Sequence, residues 1–282
     1  MSAAVSTQTR TGRLVAAAIV LMLVLTGCSG DDGDSPEPSR SASGASEQAE
    51  PPKPPRRPRV GDCYRLTFDE ALAPTAPTKR VKCGLKPTAI TYFVGKIERN
   101  RAGKPRPVDS ARVQRQVARV CPQRLATYVG SSPDELRRSL LRAVWFTPSL
   151  EEEAAGADWF RCDVVASGPR RSLLVLPRTM KDVLADPDRR ERFALCASGK
   201  PGTKSFSRAP CSAPHAWRAV ATVDIPGDDY PGKDAIAAAM DDPCSDAATE
   251  AADNPLDVQW SQEGPTRAQW RAGQRYGICW VP

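Results

Sequence analysis

Eight cysteines in two sets of four constrain this chain more than any other feature. They are Cys63, Cys83, Cys121 and Cys162, then Cys196, Cys211, Cys244 and Cys279. The separations are 20, 38 and 41 residues in the first set and 15, 33 and 35 in the second. Every separation shortens by five or six, as if one unit were used twice. Flanking residues follow the same rule. Pro148, Gly156, Trp159 and Cys162 are spaced 8, 3 and 3, as are Pro265, Gly273, Tyr276 and Cys279. After the second cysteine, Pro87-Thr88-Ala89-Ile90 answers Pro214-His215-Ala216-Trp217, which sets Thr88 against His215.

An even cysteine count without a C-x-x-C pair, and with His215 as the single histidine, favours disulfides over a metal site or a redox pair. No metal and no cofactor is expected. Confining the bonds to each half, and treating the halves alike, leaves three arrangements. The favoured one joins first to second and third to fourth: Cys63–Cys83, Cys121–Cys162, Cys196–Cys211 and Cys244–Cys279. Loops of this size constrain the unfolded chain by roughly 3–4 kcal/mol each. That gain matters for domains near a hundred residues with small cores.

The ninth cysteine belongs to another device. Leu14 to Leu25 is an uninterrupted apolar run behind Arg10 and Arg13, and Leu25-Thr26-Gly27-Cys28 closes it. The run has the length of a signal-peptide core and is too short to span a bilayer. The closing tetrapeptide resembles a bacterial lipobox. A signal peptide over residues 1–27, lipid (palmitate) attachment at Cys28 and a place on the outer face of the cell membrane are the expectations. Residues 28–59 are rich in Pro, Ser and Gly and lack aromatics. Such a segment cannot bury enough surface to offset its ordering entropy, so a disordered tether is expected.

The remainder reads as α+β: two similar disulfide-stapled domains, 60–176 and 177–282, each a small antiparallel sheet packed with one or two helices. Asp109 is placed to cap a helix that Pro122 ends or kinks. Asp234 is placed to cap Ala235–Met240, with Pro243 restarting a helix. Ser132-Pro133-Asp134-Glu135 has the form of a capping box. Glu151-Glu152-Glu153 reads as a solvated turn, and Met180–Asp186 as a helical linker. The first half carries 20 Lys and Arg against 12 Asp and Glu, the second 13 against 15. A basic domain outside the cytoplasm suits an anionic lipid, a wall polymer or an acidic partner, and nucleic acid is not expected there.

Catalytic patterns are sparse. His215 lies near Ser212, but there is no Gly-x-Ser-x-Gly elbow and no Gly-rich phosphate loop. The chain is therefore read as not an enzyme. His215, Trp260, Trp270 and Tyr276 form the candidate binding surface, because aromatics concentrate near the C-terminus.

Val60-Gly61-Asp62-Cys63, Val81-Lys82-Cys83, Cys211-x-x-Pro214-His215 and Trp270-x-x-Gly273-x(5)-Cys279 together resemble the septum formation domain family of actinobacterial envelope proteins. The first half has the opening motif, with Thr88 for His and Glu153 for Trp. The second has the middle and end, but opens as Phe193-Ala194-Leu195-Cys196. The resemblance implies a non-enzymatic envelope domain associated with division. The expected function is a membrane-anchored scaffold or adaptor that binds an envelope protein or wall polymer. The alternative is an extracytoplasmic module for a small ligand or wall glycan.

Overall fold

A computed structural model describes residues 56–75 and 79–282. Cys28, the signal peptide and most of the tether lie outside the described residues.

The first half begins with β1 (Cys63–Tyr64) and a short helix α1 (Phe68–Leu72), followed by β2 (Ala89–Lys96). The long helix α2 (Ala111–Val129) and the short α3 (Pro133–Arg137) precede β3 (Leu141–Phe146). A second short helix, α4 (Leu150–Ala154), leads into β4 (Trp159–Gly168) and β5 (Ser172–Leu173). After the connecting α5 (Pro187–Arg190) come β6 (Leu195–Ala197), β7 (Arg208–Pro210) and β8 (Trp217–Asp224). The chain closes with α6 (Lys233–Ala251), β9 (Ser261–Glu263), α7 (Arg267–Arg271) and β10 (Tyr276–Val281).

Both sheets are antiparallel. The first has the order β1-β2-β4-β3, with β5 pairing the end of β4, and the second β7-β6-β8-β10-β9. Setting β1 on β6, β2 on β8, β3 on β9 and β4 on β10 superposes the two orders. A bridge between Cys63 and Val81 stands where β7 lies in the second sheet. The bulges coincide as well. Tyr92 is passed over opposite β4, and Val220 is passed over opposite β10.

The register corrects one expected equivalence. Thr88 N–H donates to the Tyr64 carbonyl, and Ala216 N–H donates to the Ala197 carbonyl. Thr88 therefore corresponds to Ala216, and His215 to Pro87.

The long helices also match. Each is 19 residues long with a proline beside its cysteine. Ser110, not Asp109, caps α2 by accepting from Val113 N–H, while Gly232 precedes α6 without a side-chain cap. Neither proline stops its helix, so α6 is one element and not two. A proline removes the bond to the carbonyl four residues back. Here those carbonyls belong to Ala118 and Ala239, both exposed, so water can take them. The buried stripes Val113, Val117, Cys121, Leu125, Val129 and Ile236, Met240, Cys244, Ala248 pin the helices from the other side.

Disulfides Cys121–Cys162 and Cys244–Cys279 join each long helix to its sheet, at β4 and at β10, with Cα atoms 5.4 and 5.1 Å apart. Cys63–Cys83 and Cys196–Cys211 staple the opening strands. Glu151–Glu153 lie in α4, which Ser149 and Glu152 close with a capping box, and not in a turn. Residues 181–185 are turns rather than helix.

Met180, Val183, Leu184 and Phe193 follow the expected boundary at 176 yet lie in the first core. Leu140, from the first half, lies in a core cluster with Leu195, Ile278 and Trp280. Between the halves, Leu140 N–H donates to the Phe193 carbonyl and Leu195 N–H to the Arg138 carbonyl. The described residues, 56–75 and 79–282, belong to one compact unit.

Candidate functional site

Alternation along β4 sends successive side chains to opposite faces of the sheet. Phe160, Cys162, Val164 and Ala166 join the core under α2. Arg161, Asp163 and Val165 fall on the other face. There Val165 packs in a smaller cluster with Tyr64, Leu66, Ala71, Ala89 and Phe146. Arg161 is 2% exposed and Asp163 0%.

Two buried charges on one strand need partners. Arg161 Nε lies 3.2 Å from Asp163 Oδ2. Asp163 Oδ1 accepts from the Thr91 hydroxyl at 2.7 Å, across the β2–β4 pairing that sets these two residues opposite each other. The guanidinium sits 3.7 Å from the Tyr64 ring centre and 4.7 Å from that of Phe146. Such stacking suits the weakly hydrated, planar guanidinium. Burial pushes the Asp163 carboxyl up to about 6, against the pull of Arg161 and the Thr91 bond. Burial likewise raises the Tyr64 phenol, which Arg161 opposes.

The turn at Val60-Gly61-Asp62-Cys63 brings a second carboxylate to this face. Gly61 has φ +88°, a conformation that favours glycine. Gly61 N–H donates to the Thr91 carbonyl at 2.8 Å. Asp62 then accepts from Arg59 N–H at 2.8 Å and from Arg80 Nη1 at 3.0 and 3.3 Å. Arg56, Asp62, Tyr64, Arg80, Trp159 and Arg161 line a cleft of about 180 Å³.

The second half has no such arrangement. By register, Ile278 replaces Arg161, Trp280 replaces Asp163 and Ala219 replaces Thr91. All three are buried in an apolar cluster.

The residues singled out in the sequence are dispersed. His215 is exposed, and its Nδ1 lies 2.9 Å from the Ala213 carbonyl. Trp270 is 3% exposed and its Nε1 donates to the Asp228 carbonyl at 2.9 Å. Trp260 is partly buried against the same core as Trp270. Tyr276 packs against a different cluster, with the Arg137 guanidinium 4.3 Å from its ring centre. Among the described residues there is no group of three or more His, Cys, Asp or Glu that could hold a metal. No helix among them is long and apolar enough to cross a membrane.

Arg161 and Asp163 lie outside the binding surface expected from the sequence. The available signal was Phe160-Arg161-Cys162-Asp163-Val164, in which two charges alternate with core residues inside a strand.

The family described as "Septum formation" matches residues 60–279, and the chain belongs to that family. No curated protein and no solved structure matches the chain.

Proposed function

For this member of the septum formation family, we propose the role of an exported, lipid-anchored and non-enzymatic scaffold or adaptor of the cell envelope. Membership supports a septum-related envelope role. The observation that carries the scaffold reading is one stapled frame built twice with different surfaces. Both copies keep the sheet order, the long helix and the helix-to-strand disulfide. Their charge diverges, with 20 Lys and Arg against 12 Asp and Glu in one half and 13 against 15 in the other. A frame held constant under changing faces suits binding and spacing. Disulfides at all eight positions suit an oxidising compartment.

Anchoring is tested at Cys28. Cys28→Ala should move the protein out of the membrane fraction or block its processing. Unchanged membrane retention, with no acyl mass on the N-terminal peptide, overturns the anchor. Crosslinking in intact cells followed by affinity capture tests the adaptor role, through an envelope protein or wall polymer recovered with the chain.

The alternative, a module for a small extracytoplasmic ligand, is favoured by the cleft over Arg161. A packed apolar sheet face, as in the second half, has no need of a buried arginine.

A further inference from the structure

The cleft over Arg161 holds more donors than its own residues satisfy. Arg80 is engaged with both oxygens of Asp62. Asp163 Oδ1 is engaged with Thr91. Arg161 Nη2 and Trp159 Nε1 are buried and have no hydrogen-bond partner among the described residues. Arg161 Nε and Asp163 Oδ2, 3.2 Å apart, make no aligned hydrogen bond. Buried donors without partners cost free energy, and an unseen water or ion is one of the explanations they call for in native structures.

The charge count points the same way. Arg56, Arg80 and Arg161 face Asp62 and Asp163, which leaves one excess positive charge even with both carboxyls ionised. Protonation of Asp163, whose carboxyl burial pushes up to about 6, adds to that excess. A cleft of about 180 Å³ is below the usual range for drug-sized ligands and accommodates a compact group. The guanidinium presents planar donors that match a carboxylate or phosphate.

We propose that this cleft binds a small oxyanion, a carboxylate or phosphate group, with Arg161 supplying the charge and Arg161 Nη2 and Trp159 Nε1 the hydrogen bonds. The site is confined to the first half, because Tyr276 and Ile278 stand in place of Trp159 and Arg161 in the second. It deepens the small-ligand reading by naming the ligand chemistry. It rests on the folded unit and not on the anchor, so the Cys28 experiment and the following one fail separately.

The full chain, ¹⁵N-labelled in detergent, is titrated with inorganic phosphate and with acetate at constant ionic strength, with chloride as the control. Trp159→Phe assigns the Trp159 indole N–H resonance. The expected result is a saturable shift of that resonance with phosphate or acetate, and none with chloride. Whichever of the two saturates at lower concentration identifies the oxyanion. Arg161→Gln should abolish the response. Where that variant does not fold, Trp159→Phe serves instead: followed on the Arg161 Nε–H resonance, it should weaken binding about tenfold, the loss of one good hydrogen bond. No saturable shift with either anion overturns the proposal. So does an undiminished response in Arg161→Gln with native melting, or in Trp159→Phe.

Discussion

Glu153 and Trp270 occupy the same position in the two copies of the short helix, before β4 and before β10, and each ties that helix to the segment entering the long one. Glu153 Oε1 accepts from Val108 N–H at 3.2 Å. Trp270 Nε1 donates to the Asp228 carbonyl at 2.9 Å. The donor and the acceptor have changed sides, while the link between the two segments persists. Glu153 stands where the resemblance called for tryptophan, and the structure shows what takes over the task.

The two links differ in weight. Trp270 is a core residue beneath Ile236 and Met240, so Trp270→Ala removes an aromatic packing volume as well as a bond. It should cost about 3–5 kcal/mol in denaturant unfolding. Glu153 is half-buried, and Glu153→Ala should cost about 1 kcal/mol, the value of a single hydrogen bond. Equal losses in the two variants would show that the two links do not differ in weight.

Much of this frame was legible because backbone requirements fixed it. Gly156 and Gly273 both end short helices with φ above +90°, and both stand six residues before a helix-bonded cysteine. The spacing from Pro148 and Pro265 could therefore be read directly. The equivalence of Thr88 and His215 failed because the prolines stand at different distances from the second cysteine, Pro87 four residues after Cys83 and Pro214 three after Cys211. Alignment on the prolines slipped by one. The prolines inside α2 and α6 misled for another reason: local propensity gave way to a buried stripe and a disulfide on the opposite face. The cleft could not be read at all beyond its two charges. Thr91, Tyr64 and Phe146 reach Arg161 and Asp163 from three different strands, and only the register brings them together.

The buried pair should behave unlike its apolar counterpart. Removing one partner leaves an uncompensated buried charge, so Asp163→Ala should cost about 3–5 kcal/mol at neutral pH. Replacing the pair together, Arg161→Met with Asp163→Leu, should cost less than either single change. The second half already fills these positions with Ile278 and Trp280. Four unfolding curves complete the cycle, and additive losses would show that the two charges are not coupled.

Asp163 also sets a pH dependence. Its carboxyl is raised in the folded protein to about 6, above an unfolded value of about 3.9. The folded state then binds the proton more tightly than the unfolded one. The stability that its protonation contributes is complete below about pH 4 and is lost as pH rises through about 6. Asp134, Glu135 and Glu191 are shifted the other way. The observable is therefore the difference between wild type and Asp163→Asn. Wild type should lose stability relative to the variant from pH 4 to 7. A flat difference refutes the prediction.

The halves are held together by a carboxylate reaching across. Asp134 Oδ1 accepts from Thr222 N–H at 3.1 Å and from its hydroxyl at 2.7 Å. Burial opposes its ionisation, but these bonds and Arg138 outweigh that and lower its pKa. Arg137 adds an ion pair to Asp224 at 2.7 Å. Asp134→Ala should speed amide exchange at Thr222 and lower unfolding stability by about 1–3 kcal/mol. Protection at Thr222 unchanged from wild type would mean that the junction depends on Leu140 and the backbone bonds alone.

Every disulfide joins neighbours in the cysteine order, so no bond encloses another cysteine. Among the eight bonded cysteines, in a chain emerging amino end first, the next thiol to appear is always the right one. An oxidant that acts on thiols as they arrive then yields the native set directly, and no later reshuffling is required. The longest wait is 41 residues, from Cys121 to Cys162. During that interval the partner helix can form before its anchoring strand exists. Such a chain can mature where oxidising power is present but isomerase activity is scarce.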